Sequence, residues 1–213
     1  MSHSDVPLIE TRNLTCIRED RVLFESLDFA VNRGDIVQVE GPNGAGKTSL
    51  LRIIAGLSQP YDGDVYFNGL TINDCREAYH ENMLYLGHSV GIKGELTAQE
   101  NLAFNLALSG LSAESAEETL AEVALIGFED ALASHLSAGQ HRRIALAKLW
   151  QSTAKIWILD EPFTAIDKKG VLTLEQRMQV HAEKGGAVIL TTHQDLQMSS
   201  DKYKKLTLEY RFF

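Results

Sequence analysis

Cysteine is nearly absent: Cys16 and Cys75 are the only two in 213 residues, and they lie far apart. Two distant thiols give neither a metal-ligand spacing nor a disulfide framework, so a reducing compartment is expected. Basic charge is also short. Twenty Lys and Arg face 29 Asp and Glu, for a formal net charge of −9. Nucleic-acid binders usually present a basic face, so DNA or RNA is a poor fit as main partner. The first ten residues, Met1 to Glu10, carry neither a basic start nor an apolar run, so no signal peptide is expected. No apolar stretch approaches the roughly 20 residues that span a bilayer. At a membrane, such a chain needs a partner to hold it there. Internal repeats and low-complexity stretches are lacking too.

What is present reads as a mixed α/β chain with a hydrophobic fraction of 44%, enough for a sizeable core. Ile9 to Cys16 and Val22 to Val31 flank a charged turn at Arg18 to Arg21 and predict a hairpin. Ile36 to Glu40 predicts a short strand running into a Gly-rich loop. Lys47 to Gly56 predicts a helix with Leu50, Leu51, Ile54 and Ala55 on one face. Asp64 to Asn68 predicts another strand. From about Gly94 to Trp150 the chain turns Ala/Leu/Glu-rich, which predicts a mainly helical insert. Its helices span Thr97 to Leu108 and Ala113 to Ile126, with caps at Thr97 and Ser112. Lys155 to Asp160 and Ala187 to Thr192 are apolar runs suited to parallel strands buried on both faces. Val171 to Glu183 supplies a helix between them, completing a βαβ unit.

Gly41-Pro42-Asn43-Gly44-Ala45-Gly46-Lys47-Thr48 fits the phosphate-loop pattern G-x-x-x-x-G-K-[ST], and it follows a strand and precedes a helix. The spacing has a physical reason. Glycines let the backbone curl so that several N–H groups point inward at phosphate oxygens. The positive end of the following helix favours the same anion. Lys47 can reach the β- and γ-phosphates, and the Thr48 hydroxyl suits Mg²⁺, which prefers hard oxygen ligands. Ser49 is a further contact on the phosphate side.

Downstream, Ile156 to Glu161 is an apolar strand ending in two carboxylates. Such a pair is either a solvated turn or a site. With a phosphate loop upstream, Asp160 can hold Mg²⁺ and Glu161 can orient and deprotonate the attacking water. Leu136-Ser137-Ala138-Gly139-Gln140 precedes a helix from about His141 to Trp150. Ser137 can cap that helix, or its free N–H groups can hold a phosphate. Arg142 and Arg143 read most simply as a solvated helix face. His193, at the end of a strand, is either structural or a γ-phosphate contact.

Four segments in this order resemble the ABC ATPase family: GPNGAGKT from Gly41, LSAGQ from Leu136, ILDEPFTAID from Ile158, and TTH ending at His193. The resemblance covers nearly the whole chain, and LSAGQ is its specific part, since other phosphate-loop families lack it. It implies a P-loop NTPase (RecA-like) core with an antiparallel β subdomain, formed by residues 1–93 and 151–213. An inserted α-helical subdomain, 94–150, ends in the signature helix. It implies ATP and Mg²⁺ as ligands, with Lys47, Glu161 and His193 at the chemistry. It also implies a head-to-tail homodimer in which Ser137, Gly139 and Gln140 touch the ATP held by the other copy. Asp167 then lies in the loop that crosses the dimer interface. The groove near Tyr85 to Leu96 would receive a permease helix.

Two positions depart from the family's pattern. His88 stands where a glutamine usually contacts Mg²⁺ and the membrane partner. The aromatic that usually stacks on adenine is missing. Ile17 and Arg18 occupy that region, where the Arg18 guanidinium either stacks on the base or is solvated.

LGHSVGIKGELTAQENL, LSAGQHRRIALAKLW, WILDEPFTAID and CIREDRVLF resemble more narrowly the ATP-binding subunits of haem exporters in cytochrome c maturation. That group also resembles this sequence at His88. The narrower likeness implies integral membrane permease subunits of the CcmB/CcmC/CcmD kind and a peripheral place on the cytoplasmic face of the inner membrane. Three alternatives remain: the ATPase of another ABC exporter, a soluble ABC ATPase acting on nucleic acid or ribosomes, and a small-molecule kinase. The stretch from Thr48 to Ser137 is too short for the long coiled coils of DNA-repair types. A kinase would leave LSAGQ and His193 unexplained.

Overall fold

The computed structural model describes residues 6–194, 196, 198 and 202–210. The chain divides into two compact units. The first is Met1–Tyr85, Ala154–Asp160 and Met178–Phe213; the second is Leu86–Thr153 and Glu161–Arg177. The stretch 94–150 falls inside the second unit.

The first unit opens with β1 (Ile9–Arg18) and β2 (Arg21–Val31), antiparallel from Ile9↔Val31 to Arg18↔Arg21. Glu19 and Asp20 turn the chain with φ of 48° and 60°. Two consecutive positive φ values make the twist of the turn match that of the strands. Then follow β3 (Ile36–Glu40), α1 (Lys47–Ile54), β4 (Asp62–Phe67), β5 (Leu70–Thr71), α2 (Arg76–Glu81) and β6 (Met83–Leu86). One antiparallel sheet has the order β2-β1-β4-β5.

After the second unit's α3 (Ala98–Leu108), α4 (Ala116–Glu122) and α5 (Ala138–Gln151), the chain returns as β7 (Ile156–Asp160). It continues through α6 (Lys168–Glu183) to β8 (Ala187–Thr191) and β9 (Tyr203–Thr207). A second sheet has the order β6-β7-β8-β3-β9. In it β7, β8, β3 and β9 run parallel. Every residue of β7 and β8 is buried, as continuous apolar runs require when both faces of a sheet are covered. One core joins both sheets to α1, with Leu50, Leu51, Ile53 and Ile54 packed among Phe24, Val65, Ile158 and Ile189. Parallel strands end on the same edge. The loops after β3, β7 and β8 therefore emerge together, at the place where open α/β sheets bind ligands.

The second unit packs Leu102 and Leu106 of α3, Leu120 of α4, and Ile144 and Ala147 of α5 around Leu125. Thr97 caps α3 through a reciprocal capping box with Glu100. The expected helix over Ala113 to Ile126 is shorter, Ala116–Glu122, and Ser112 is not its cap. Instead the Ser112 hydroxyl accepts the Glu114 N–H in a turn, and Ser115 takes the cap position. The helix stops because Ala124 turns left-handed at φ 58°. Leu125 N–H then reaches Leu120 O at 3.0 Å and Ala124 N–H reaches Ala121 O at 3.0 Å, a Schellman closure with alanine at the usual glycine position.

Two contacts fix α1. At its start Gly46 is the cap residue at φ 97°, and an added Cβ would meet Leu23 Cβ at 3.0 Å. At its end the buried Tyr79 hydroxyl donates to Ile54 O at 2.7 Å, satisfying a carbonyl the helix leaves open. Gly46→Ala is expected to cost about 1–2 kcal/mol from the left-handed backbone alone. Tyr79→Phe is expected to cost about 1 kcal/mol or more, because Ile54 O is left buried and unpaired. Urea unfolding of the nucleotide-free chain measures both.

Candidate functional site

β3 delivers the chain into the loop Gly41 to Gly46, and α1 starts at Lys47. No side chain caps α1 and its first turn holds no acid, so its leading N–H groups are left for an external anion. The Lys47 ammonium folds over the loop, donating to Gly41 O at 2.7 Å and Pro42 O at 3.2 Å. That places a cation across the mouth of the curled backbone. Pro42, Asn43, Gly44 and Thr48 are exposed, Ser49 is half-buried, and Ala45 is buried under the loop.

Asp160 ends β7 at 2% exposure. Its Oδ1 accepts the Thr191 hydroxyl at 2.7 Å and the Thr48 hydroxyl at 3.3 Å. The register Asp160↔Thr191 makes the first bond, and the start of α1 beneath the sheet edge makes the second. A carboxylate and a threonine hydroxyl 112 residues apart thus share one point. These are hard oxygen donors, and the set fits Mg²⁺ completed by phosphate and water oxygens. Among the described residues, no group of three or more His, Cys, Asp or Glu side chains gathers to hold a metal. Burial raises the pKa of the Tyr85 phenol, and the charge of Asp160 raises it further.

Arg18, at the end of β1, is exposed. Its cross-strand partner Arg21 lies by the phosphate loop, donating to Gly44 O at 3.3 Å with its guanidinium 4.0 Å over the Tyr210 ring. His193 follows β8 and is exposed.

In the second unit, Ser137 is the cap of α5, and a reciprocal capping box joins it to Gln140. Gly139 approaches the 161–167 loop so closely that a Cβ would stand 2.5 Å from Ala165 O. Only glycine fits there without moving backbone. Arg143 pairs with Asp167 at 2.6 Å, and the Gly170 N–H donates to the same carboxylate oxygen. The Gly170 N–H first, and Arg143 after it, hold the Asp167 carboxyl below its usual range. Glu161 is half-buried at φ 50°, a left-handed conformation that costs a non-glycine residue roughly 1–3 kcal/mol. His88 is exposed in the loop after β6.

The expected solvated face at Arg142 and Arg143 is wrong for Arg142. It is 4% exposed and turned inward, donating to the carbonyls of Glu161 at 2.6 Å, Gly87 at 3.1 Å and Pro162 at 3.3 Å. An arginine buries readily where carbonyls satisfy its fork, and sequence spacing carries no sign of distant carbonyls. Thr191 and Tyr210 carry no site role in the sequence reading, where Arg21 is only the end of a turn and Tyr85 only the start of the permease groove. Only the place of Thr191, two residues before His193, hinted at a role.

Residues 24–164 match the ABC transporter family. The cytochrome c biogenesis ATP-binding export protein CcmA of Shewanella frigidimarina is 62% identical over 100% of this chain and 99% of its own. The protein of that name from Colwellia psychrerythraea is 61% identical over 98% of this chain and 96% of its own. Among solved structures, a dimeric bacterial ABC transporter cassette superposes with a TM-score of 0.75 at 26% identity, over 87% of this chain and 88% of the other. With its phosphate loop, acidic strand end and LSAGQ helix placed as described, the chain belongs to the ABC transporter family, as an ATP-binding subunit.

Proposed function

We propose that this chain is the ATP-hydrolysing subunit of an exporter that serves cytochrome c biogenesis, with haem as the cargo class. The observation that carries the ATPase reading is the junction of Thr48, Asp160 and Thr191 beside the Lys47 loop. The exporter assignment follows from the two relatives named above. No helix among the described residues is long and apolar enough to cross a membrane. In this reading the chain works beneath integral permease subunits of the CcmB/CcmC/CcmD kind, on the cytoplasmic face of the inner membrane. The segment Tyr85 to Leu96 receives a permease helix.

Two copies associate head to tail around two ATP molecules. Lys47, Ser49 and the loop from Gly41 to Thr48 hold the phosphates of one ATP. Ser137, Gly139 and Gln140 of the other copy close over it, with Asp167 at the crossing point. Arg18 lies on the adenine side. Thr48 and Asp160 would hold Mg²⁺, which would neutralise charge on the transferred phosphoryl group. His88 enters on sequence position alone, as the loop residue standing where the family usually carries glutamine. The Glu161 carboxylate takes a proton from water as the new phosphorus–oxygen bond forms and the bond to ADP breaks. His193 orients the γ-phosphate side. Closure moves the permease, and loss of the γ-phosphate reopens the pair.

Lys47→Ala removes charge-assisted contacts of about 1.5–3 kcal/mol, so ATP affinity is expected to fall by roughly 10- to 150-fold. Equilibrium binding of a fluorescent ATP analogue measures it. Glu161→Gln is expected to keep ATP affinity and lose about 10²–10⁴-fold in turnover, the usual worth of a positioned base. The same variant should run as a dimer with Mg·ATP in gel filtration and as a monomer without it. Fast hydrolysis by Glu161→Gln would remove Glu161 as the base. Recovery of the native protein free of any membrane permease would remove the exporter role.

A further inference from the structure

Two loop segments of the second unit converge on one guanidinium. Gly87 and His88 follow β6 and open the loop that runs to Leu96. Glu161 and Pro162 follow β7 and carry the residue assigned above as the base. On one edge of Arg142, Nη1 donates to Gly87 O at 3.1 Å and reaches His88 O at 3.5 Å. On the other, Nη2 donates to Glu161 O at 2.6 Å and Nε to Pro162 O at 3.3 Å. The guanidinium is a rigid planar fork with donors on several sides, so a shift of either segment strains bonds to the other. Arg142 itself cannot drift, because it sits at 4% exposure on α5, between buried Ile144 and the capped first turn.

Glu161 makes this junction consequential. At φ 50° it occupies backbone space that persists in a non-glycine residue only when its surroundings over-determine it. Its carbonyl accepts from Arg142 and from the Thr164 N–H at 3.2 Å. The first of those bonds is the shorter, and it ties the residue to a different element.

We propose that Arg142 is a positioning residue that locks the backbone of Glu161 to the backbone of residues 87 and 88. The aim of the Glu161 carboxylate then depends on where a partner holds the 87–96 loop. Arg142 touches no nucleotide in this scheme; it acts through Glu161. The inference rests on the ATPase reading above, and on this chain's arginine at position 142.

The test uses the full-length chain with Arg142→Lys and Arg142→Met, followed by ATPase kinetics and amide hydrogen exchange. A lysine keeps the charge without the fork, and a methionine keeps the bulk without either. Turnover number is expected to fall by about 10²-fold in both, as small misplacements of a catalytic group do. The KM for ATP is expected to stay within about threefold of the parent value. Exchange at amides 87–90 and 161–165 is expected to rise together by about tenfold or more, while amides 144–150 of α5 stay protected. Unchanged turnover in Arg142→Lys would overturn the proposal. So would faster exchange in only one of the two segments, or loosening along all of α5, which marks a purely structural role. Parent protein without ATPase activity would sink the ATPase reading, while the exchange result would still decide whether Arg142 couples the two segments.

Discussion

The buried carboxylate of Asp160 receives a hydroxyl from the start of α1 and another from the end of β8. Those two bonds join the ends of three separate chain segments at one corner of a parallel sheet. A charged group at 2% exposure is expensive to bury unless it is well paired, so the corner is specified tightly. Much else follows from it. α1 must begin where β3 ends, which requires the left-handed backbone of Gly46. β7 and β8 must be adjacent and in register, which requires crossover connections and continuous apolar runs. The Lys47 ammonium then stands over the same loop, giving a cation beside the place where hydroxyl and carboxylate oxygens meet.

Much of this corner was legible in residues alone. The loop Gly41 to Thr48 has a spacing dictated by phosphate geometry, β7 and β8 are mostly apolar runs, and β3 runs straight into that loop. Their boundaries lie within a residue of the expected ones, because each ends at a polar residue or turn that breaks the buried run. Other elements carried weaker signals. β9, Tyr203–Thr207, is an edge strand with Lys204 and Lys205 in its middle, and exposed edge strands are often charged. β6 is four residues long, and α2 is six, too short for periodicity to show. The early end of α4 escaped because alanine at Ala124 gives no hint of a left-handed turn.

The site divides in the same way. Residues proposed to meet phosphate or metal are picked out by type and spacing, and both are written in the sequence. Residues that hold others in place do so through distant backbone, and backbone carbonyls have no letter. Arg142 and Arg143 are neighbours of the same type, yet one is turned inward onto carbonyls and the other pairs with Asp167 near the surface. Only the folded chain tells them apart.

Helix starts offer an independent indication of which ends face phosphate. Acids in the first turn favour a helix by complementing its dipole, and they would repel a bound anion. Of the six α-helices among the described residues, three have such acids: Glu77 in α2, Glu100 in α3, and Glu117 and Glu118 in α4. A fourth, α6, has the Asp167 carboxylate accepting the Gly170 N–H at its start. Among the described residues, α1 and α5 are the α-helices that have neither. One follows GPNGAG and the other begins inside LSAGQ, and each unit holds one of the two starts. Stability alone would favour an acid at both starts, and its absence there fits the phosphate contacts proposed for them. A single copy needs only one of them for its own nucleotide; in the proposed head-to-tail pair, the second serves the other copy's ATP.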